Sequence, residues 1–461
     1  MVDLSRFARE HKSAPGYLDV AANAHGAEKA LLVHRALSRI PDSPARVVEV
    51  GPGGGAAVSF LAAELARDPD PGMTVHLTLI EAPGVASQSL AQAVERFNQI
   101  GTCTVTQGFA QDIGTVVTDP VDVISASALL HEVYSYGGGY SGLHTMMRTL
   151  PTVLRPNGFF VYRDVYAVAG PSLHERVIHS YDAHAWLQFL RMFLPQYLTD
   201  GTHPYHHAAD EILARQNSRI VPLPELDSTT CAFVTAPVGV LRELQRHYIT
   251  FRDHVWRSGA LGFTPILDGQ LAGDWIDFRT GHKRVHYTLT TADWLSPSQK
   301  AMLRAVSEPY ADHHTIDGDI FDEVTDVALT AFLAAAERRD TACTEVWSSW
   351  LVREGRETYA YLTIDELLTA FAVHSAQASP GYETVLMPVL DSDILLRERN
   401  YYNRFLRKRL ANPLIDAKQL VLFQNIPLAD ADTLGQAWEA VHGFCGKPNL
   451  ARVYSAINSK G

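Results

Sequence analysis

Hydrophobic residues come in short, β-branched runs separated by helical patterns over the first third of the chain. The predicted strands are 46–50, 74–80, 103–107, 121–126 and 159–165, and the predicted helices are 56–67, 85–98 and 140–153. Short runs that are apolar on both faces are typical of buried parallel strands, and helices between them supply the crossover connections. The alternation therefore predicts an α/β fold with a doubly wound, mostly parallel sheet.

A helical pattern precedes the first strand. Apolar residues between 16 and 40 recur with a period near 3.6, as on one face of an amphipathic helix. We therefore expect an N-terminal helical cap over residues 1–45, lying across the mouth of any ligand site at the first strand.

The pattern changes again after the last predicted strand. An aromatic-rich, less regular stretch predicts a substrate-binding insertion at about 166–260, within a domain that covers 46–290. From residue 291 the pattern is mostly helical, and Thr363 with Glu366 forms a capping box before an apolar run. We therefore predict a second, mostly α-helical C-terminal domain over 291–461.

The first strand runs into a glycine-rich turn. Residues 46–50 are followed by Gly51, Gly53 and Gly55, and Ala56 opens a helix. Glycine allows a sharp turn and lets a ligand approach the backbone where a Cβ would collide. The exposed amides at the helix start favour a polar or anionic group. The turn predicts a cofactor site but leaves dinucleotides and S-adenosylmethionine both open.

The acidic residues near this turn distinguish the two cofactor classes. A dinucleotide fold expects a carboxylate about 20 positions past the glycines, whereas Glu81, at the end of the second strand, comes roughly ten positions later. Glu49 also has no required role in a dinucleotide site. With Glu49 at its head, the run reads E-x-G-x-G-x-G and resembles motif I of the class I S-adenosylmethionine-dependent methyltransferases.

Two later segments are similar to the same family. Residues 121–127 match its fourth strand, and Leu154-Arg155-Pro156-Asn157-Gly158 is similar to its turn into the fifth strand. The resemblance covers roughly residues 46–165. It implies a Rossmann-like domain, S-adenosylmethionine as cofactor, and transferase activity.

The resemblance also implies roles for individual residues. Glu49 would hold the methionine amino group of the cofactor, the glycines would contact it through the backbone, and Glu81 would accept hydrogen bonds from both ribose hydroxyls. The family often has glycine-aspartate-alanine after the third strand, but in this chain Phe109 occupies the aspartate position, so Asp112 or a backbone group would take over the adenine contact. The predicted cofactor-binding residues are Glu49, Gly51, Gly53, Gly55, Glu81, Phe109, Ala110, Asp112 and Ser125.

A candidate base follows the fourth strand. In an open parallel sheet, residues just past the carboxyl ends of the strands line the ligand crevice, which places His131 near the transferred group. A neutral imidazole can take a proton from a hydroxyl or amine because its pKa lies near neutrality. Glu132 or Tyr134 would orient it. A histidine that merely packs at a helix start is the alternative.

Other clusters have simpler explanations. The histidine-rich stretch 203–207 with Asp210 matches no standard metal motif, so no metal site is predicted. The aromatic residues of 181–193 favour a core over a substrate cage. The basic residues of 397–409 are typical of a solvated helix face.

The composition of the chain limits the classes of partner that we expect it to bind. The net charge of −12 argues against a general nucleic-acid binder, and the four cysteines form no CxxC pair. The first residues lack the apolar core of a signal peptide, and no run of about 18 apolar residues occurs. We therefore expect a soluble cytoplasmic protein with a small-molecule substrate and no nucleic acid or membrane partner. The C-terminal domain would serve a homo-oligomer or a protein partner.

The leading functional hypothesis is methyl transfer from S-adenosylmethionine to an oxygen or nitrogen of a small metabolite. The same cofactor site also fits aminocarboxypropyl transfer, or a cyclisation that releases methylthioadenosine. A non-catalytic module that senses a ligand or binds a partner remains a third hypothesis, and a nicotinamide oxidoreductase a minor one.

Overall fold

The computed structural model describes residues 26–41, 43–67, 73–167, 172–182, 184–200, 212–266, 271, 284–291, 296–398, 400–414 and 417–460. The chain divides into two compact units. The first unit comprises 1–170, 361–397 and 417–461, and the second comprises 171–360 and 398–416.

Strands and helices are numbered in chain order along the described residues. The strands are β1 (Ala45–Val50), β2 (Val75–Glu81), β3 (Thr102–Gln107), β4 (Val121–Ser127), β5 (Leu154–Ala167), β6 (Arg176–Tyr181), β7 (Leu213–Gln216), β8 (Arg219–Val221), β9 (Ala232–Pro237), β10 (Phe263–Pro265), β11 (Arg284–Leu289), β12 (Glu308–Pro309), β13 (His314–Asp317), β14 (Thr384–Met387), β15 (Ile394–Glu398) and β16 (Ala417–Pro427). The helices are α1 (Gly26–Leu37), α2 (Ala56–Arg67), α3 (Gln88–Phe97), α4 (Ile113–Val116), α5 (Leu130–Tyr136), α6 (Tyr140–Val153), α7 (His184–Asp200), α8 (Val238–Ser258), α9 (Pro297–Ala305), α10 (Gly318–Glu337), α11 (Thr341–Arg353), α12 (Ile364–Ala376), α13 (Asn400–Arg409), α14 (Ala431–His442) and α15 (Lys447–Asn458).

The first unit is built on one mixed sheet. Its strand order is β14-β16-β5-β4-β1-β2-β3, with β15 paired to β16. The pairs from β5 through β4, β1 and β2 to β3 are parallel, which confirms the mostly parallel α/β sheet. The strand order reverses direction between β1 and β4, and open α/β sheets bind ligands at such a switch point, outside the carboxyl ends of the strands.

Helices cover both faces of this sheet. Val47 of β1 belongs to one buried cluster, which includes side chains of α1, α2 and α3, such as Phe97. Val48 and Val50 belong to a second cluster with side chains of α6 and α12. Successive residues of a strand point to opposite faces, so a fully apolar strand needs a core on each side. The doubly wound prediction is confirmed by these two cores.

The predicted N-terminal helix is present in part. α1 covers Gly26–Leu37, and its buried residues join the core of the first unit. The remainder of the predicted cap before residue 26 lies outside the described residues.

The predicted helical C-terminal domain over 291–461 is not what the structure shows. β16 lies inside the main sheet, antiparallel to both β5 and β14. Its residues 420–423 are fully buried, and α12 packs on the sheet next to it. The chain therefore returns to the first unit after residue 360, and the boundary expected near 290 falls within the second unit.

The second unit has its own core and two small antiparallel sheets, β6-β9-β7-β8 and β10-β11-β13-β12. The aromatic residues of the predicted insertion are buried in this core: Trp186 stacks on Tyr248 with ring centroids 4.0 Å apart, and Phe189 on Phe193 at 5.0 Å. They form core, as the helical spacing favoured. The insertion is therefore part of a larger unit that extends to residue 360.

The basic residues of α13 form ion pairs within the second unit. Lys408 lies 2.9 Å from Asp319 of α10, and Arg404 also pairs with that carboxylate. Arg409 pairs with Asp326 of the same helix. These charges stabilise the packing of α13, which the prediction of a solvated face did not include.

None of the described helices is long and apolar enough to cross a membrane. The predicted histidine-rich loop, 203–210, lies outside the described residues.

Candidate active site

A cavity of about 470 Å³ opens at the carboxyl ends of β1 and β2, within the first unit. The turns after β1, β2 and β3 and the helix after β4 each supply part of its wall. The lining residues are Val50, Gly51, Ile80, Glu81, Ala82, Gly108, Phe109, Ala110, Gln111, Leu129, Glu132, Val133, Tyr136 and Gly137.

The glycine turn after β1 forms one side of this cavity. Gly51 has a φ of 68°, and its N–H donates to Ile80 O at 2.9 Å, so the turn is tied to the end of β2. A Cβ at Gly51 would lie 3.2 Å from Leu129 Cδ1, which also lines the cavity. Gly53 and Gly55 have positive φ as well, but these glycines, which precede α2, are not among the lining residues.

Two buried carboxylates lie beside the turn. Glu81, at the end of β2, lines the cavity, and its Oε1 accepts the N–H of Ala82 at 2.9 Å. Glu49, near the end of β1, is buried and is not among the lining residues. Burial, together with the nearby charge of Glu81, raises the pKa of Glu49 to about 7, against the opposing effect of Lys29. The site therefore contains a carboxylate that readily ionises when a cation approaches.

The wall after β3 differs from the predicted set. Phe109 and Ala110 line the cavity together with Gln111, which the sequence analysis did not single out. Asp112 is exposed and is not one of the lining residues. Ser125 is buried in the middle of β4, in register with Glu49, and does not line the cavity either. Of the predicted cofactor residues, four line the cavity, namely Gly51, Glu81, Phe109 and Ala110, whereas five do not, namely Glu49, Gly53, Gly55, Asp112 and Ser125.

His131 lies in the first turn of α5 and is held by a carboxylate from β5. Its Nδ1 is 2.9 Å from Asp164 Oδ1, and its backbone N–H donates to Asp164 Oδ2 at 3.2 Å. Both residues are buried. An ionised Asp164 can only accept, so Nδ1 carries the proton and Nε2 is the basic nitrogen. The partner of Nδ1 is Asp164, where the sequence suggested Glu132 or Tyr134.

The other two predicted catalytic residues have different surroundings. Glu132 lines the cavity. Tyr134 is buried, and its ring stacks on Tyr361 with centroids 5.8 Å apart and meets Tyr140 edge-on at 5.1 Å. Glu132 thus faces the ligand space, whereas Tyr134 packs in the interior. His131 precedes Glu132 and is not among the lining residues.

Asp164 is itself held by a tyrosine from a distant segment. Tyr361 Oη donates to Asp164 Oδ2 at 3.1 Å and lies 3.1 Å from Tyr162 Oη, which donates to Gln419 Oε1 at 3.2 Å. Burial raises the pKa of the Tyr361 hydroxyl well above its usual value, so Tyr361 stays a donor. The sequence places Asp164 near the end of a predicted strand, but no sequence pattern pointed to Tyr361.

Arg163, the neighbour of Asp164, is engaged in an ion cluster. Its Nη2 lies 2.7 Å from Glu28 Oε1 of α1, and Lys418 Nζ lies 2.9 Å from the same oxygen. Burial alone would raise the pKa of Glu28, but the two cations outweigh it and lower the pKa to about 2. Arg163 therefore anchors α1 to the sheet.

Comparisons with known proteins give weak likenesses. No protein-family model and no curated protein match the chain. Among solved structures, it is similar to the carbon methyltransferase CurJ (18% identity, 36% of this chain and 40% of that chain, TM-score 0.24). It is also similar to CalS10, an amino pentose methyltransferase from Micromonospora echinaspora (20% identity, 33% of this chain and 56% of that chain, TM-score 0.23). A third similar structure is the N-methyltransferase NodS from Bradyrhizobium japonicum WM9 (14% identity, 45% of this chain and 93% of that chain, TM-score 0.23).

The matched region spans about half of the length of the first two structures. At these identities and TM-scores, the likenesses carry no argument about activity. Any functional argument therefore depends on the cavity and its residues.

Proposed function

We propose that the chain is an S-adenosylmethionine-dependent methyltransferase that acts on an oxygen or nitrogen of a small metabolite. One observation carries the proposal: the glycine turn, Glu81 and the wall 108–111 meet around a single cavity at the switch point of the sheet. The glycine turn and Glu81 belong to the segments in which the sequence resembles the methyltransferase family, whereas the wall 108–111 is where the sequence departs from it.

The donor set fits this cofactor. Glu81 offers a carboxylate that can accept from two ribose hydroxyls. Glu49 ionises near neutrality and would pair with the amino group of the methionine part. Gln111 has an amide that both donates and accepts, so it would contact the adenine edge in place of the absent aspartate. Gly51 leaves space that a Cβ would take from the ligand and from Leu129.

The chain's own residues would orient the acceptor and take its proton. When bound, the cofactor supplies an electrophilic methyl group, so much of the rate comes from holding the acceptor in line with it. Asp164 keeps the proton of His131 on Nδ1. Nε2 of His131 would then accept the proton of the acceptor hydroxyl or amine as a general base. Asp164 and Tyr361 are positioning residues for this step.

Calorimetry on the full chain tests the cofactor. We expect saturable binding of S-adenosylmethionine and none of NAD. Glu81→Gln should weaken the binding about tenfold or more, because a hydrogen bond to a charged acceptor contributes roughly 1.5–3 kcal/mol. Glu95→Gln, an exposed glutamate on α3, is the matched control and should leave binding unchanged. Binding of NAD in place of S-adenosylmethionine would reject the proposal.

Product analysis tests the reaction. Incubation with methyl-labelled S-adenosylmethionine and a pool of hydroxyl- and amine-bearing metabolites should transfer label and release S-adenosylhomocysteine, and His131→Ala should abolish the transfer. Release of methylthioadenosine would instead indicate aminocarboxypropyl transfer or cyclisation. Binding without any turnover across the pool, with full biological activity of the His131→Ala and Glu81→Ala variants, would indicate a non-catalytic module.

A further inference from the structure

A second cavity lies in the second unit between α9, α10 and the sheet of β10 and β11, with about 440 Å³ of empty space that includes space open to solvent. Its walls are largely apolar: Phe263 and Leu303 are buried, and Val324 and Ala328 lie one turn apart on α10. Apolar side chains at its rim are also exposed, Val327 by 46%, Met302 by 38% and Leu289 by 37%. The cavity thus offers apolar surface to a ligand from solvent.

The charged groups of this cavity are both cations. Lys300 and Arg304 line it from α9, four residues apart and therefore on the same face of the helix. Throughout the part of the chain that the structure describes, neither has an ion pair. Like charges at this spacing destabilise a helix unless an anion lies beside them. In a chain of net charge −12, this pair places two positive charges beside an apolar cavity.

We propose that this cavity binds a free amphipathic anion, an apolar chain of moderate length that ends in a single carboxylate. The chain would lie against Phe263, Leu303 and Ala328, where it loses contact with water. The carboxylate would lie between Lys300 and Arg304, whose guanidinium can donate two parallel hydrogen bonds. The site belongs to the second unit alone, and it stands whether or not the first unit is a methyltransferase.

Calorimetry with octanoate tests the proposal, with octan-1-ol and acetate as probes that lack the charge or the chain. We expect one octanoate per chain, octan-1-ol binding at least about fivefold more weakly, and no measurable binding of acetate. Equal binding of octanoate and octan-1-ol, or no saturable binding of octanoate, would reject the anion site.

Variants locate the binding. Lys300→Gln with Arg304→Gln should weaken octanoate binding about fivefold or more, and Val327→Asp should abolish it by placing a carboxylate at the rim. Both changes are at accessible positions, so thermal unfolding should confirm that the variants fold. Arg215→Gln with Arg219→Gln removes two exposed charges on β7 and β8 and is the matched control.

Two outcomes of these measurements would overturn the proposal. One is an equal loss of octanoate binding in the control variant. The other is saturable binding to phosphatidylglycerol vesicles that depends on Lys300 and Arg304, with no binding of free octanoate, which would assign the site to a lipid surface. Binding of S-adenosylmethionine should be unchanged in every variant, which separates this test from that of the first unit.

Discussion

Asp164 holds His131 at two points, the ring nitrogen Nδ1 at 2.9 Å and the backbone N–H at 3.2 Å. The first N–H groups of a helix lack intrahelical partners, and Leu129, at the N-cap of α5, provides no side-chain acceptor. A carboxylate from the neighbouring strand therefore caps the helix and fixes the imidazole with the same two oxygens. The start of α5 and the ring of His131 are positioned together.

This double contact predicts the behaviour of Asp164→Asn. The amide can still cap the helix, but it can donate to Nδ1 and so favour the wrong tautomer of His131. We expect kcat to fall about 10²- to 10⁴-fold, as for other histidines that lose an orienting carboxylate, while S-adenosylmethionine affinity stays unchanged. The pH profile of kcat should also differ from that of the unchanged protein, because the nitrogen that accepts the proton has changed.

The control for this prediction is Asp112→Asn, which alters an exposed carboxylate that follows the wall segment 108–111 and does not line the cavity. It should leave kcat and its pH profile as in the unchanged protein. A normal kcat and pH profile for Asp164→Asn would show that the contact only caps α5.

The cofactor side of the site could be predicted because its signals are local. Gly51 and Glu81 each lie within one residue of a strand end, so the strand pattern and the edge rule together place them at one cavity. Asp164 lies near the end of the predicted strand 159–165, so the same rule places it at the same edge as His131. It did not pair them, since the rotation of a helix start relative to a strand depends on packing.

The remaining parts of the site and of the fold depend on contacts between segments that are distant in the sequence. Tyr361 and Asp164 are 197 positions apart, and no periodicity relates them. β16 was hidden because a short, continuous apolar run has no alternation to distinguish a strand from a buried helix, and its surroundings are helical. Asp112 was placed at the wall by position alone, but the short helical turn 110–112 presents Gln111 to the cavity instead.

Glu49→Gln should have opposite effects on stability and on cofactor binding. The pKa of Glu49 is raised from an ordinary value of 4.5 to about 7, so its contribution to stability is full below 4.5 and is lost as pH rises through 7. At pH 8 the variant should therefore unfold at a higher temperature than the unchanged protein, with a free energy of unfolding higher by at most about 3 kcal/mol. At pH 4 the two proteins should unfold at the same temperature. Differential scanning calorimetry without ligand measures this.

In the same variant, S-adenosylmethionine should bind more weakly at pH 8, because a neutral amide replaces the carboxylate proposed for the amino group. Below pH 7 the difference should shrink, since Glu49 is then largely protonated in the unchanged protein. A variant that is less stable at pH 8 would contradict the raised pKa, and unchanged affinity at pH 8 would remove Glu49 from the cofactor site.

Glu28→Gln should destabilise the first unit. Arg163 and Lys418 are both largely buried and share one oxygen of Glu28, so the variant removes a counter-charge that two buried cations have in common. Loss of one partner from a buried ion pair costs several kcal/mol, and because Glu28 is partly accessible we expect about 2–4 kcal/mol at pH 7 in urea unfolding.

The pH dependence follows from the lowered pKa of Glu28. A pKa of about 2 means that the stability it contributes is full above 4.5 and is lost as pH falls toward 2, so the difference between the two proteins should narrow from pH 6 to pH 3. Glu64→Gln, which breaks an exposed pair with Arg67, should have no measurable effect. Equal stability of Glu28→Gln and the unchanged protein at pH 7 would show that the cluster contributes nothing to anchoring α1.

Gly55→Ala separates backbone strain from steric collision at the turn. Gly55 has a φ of 78°, and an added Cβ would lie 2.8 Å from Ala93 Cβ, a buried contact that cannot yield without moving α3. Gly84 has a φ of 83° but has no heavy atom within 4 Å of the same Cβ, so Gly84→Ala carries the strain alone. Left-handed backbone costs an alanine roughly 1–2 kcal/mol, and this is the loss of stability that we expect for Gly84→Ala.

For Gly55→Ala we expect a loss of stability that is larger by about a further 1–3 kcal/mol, which is typical of overpacking. We also expect weaker S-adenosylmethionine binding, because the turn shifts. Urea unfolding and calorimetry measure both quantities, and equal losses for the two variants would show that α2 and α3 are not packed tightly enough for the turn to require glycine at position 55.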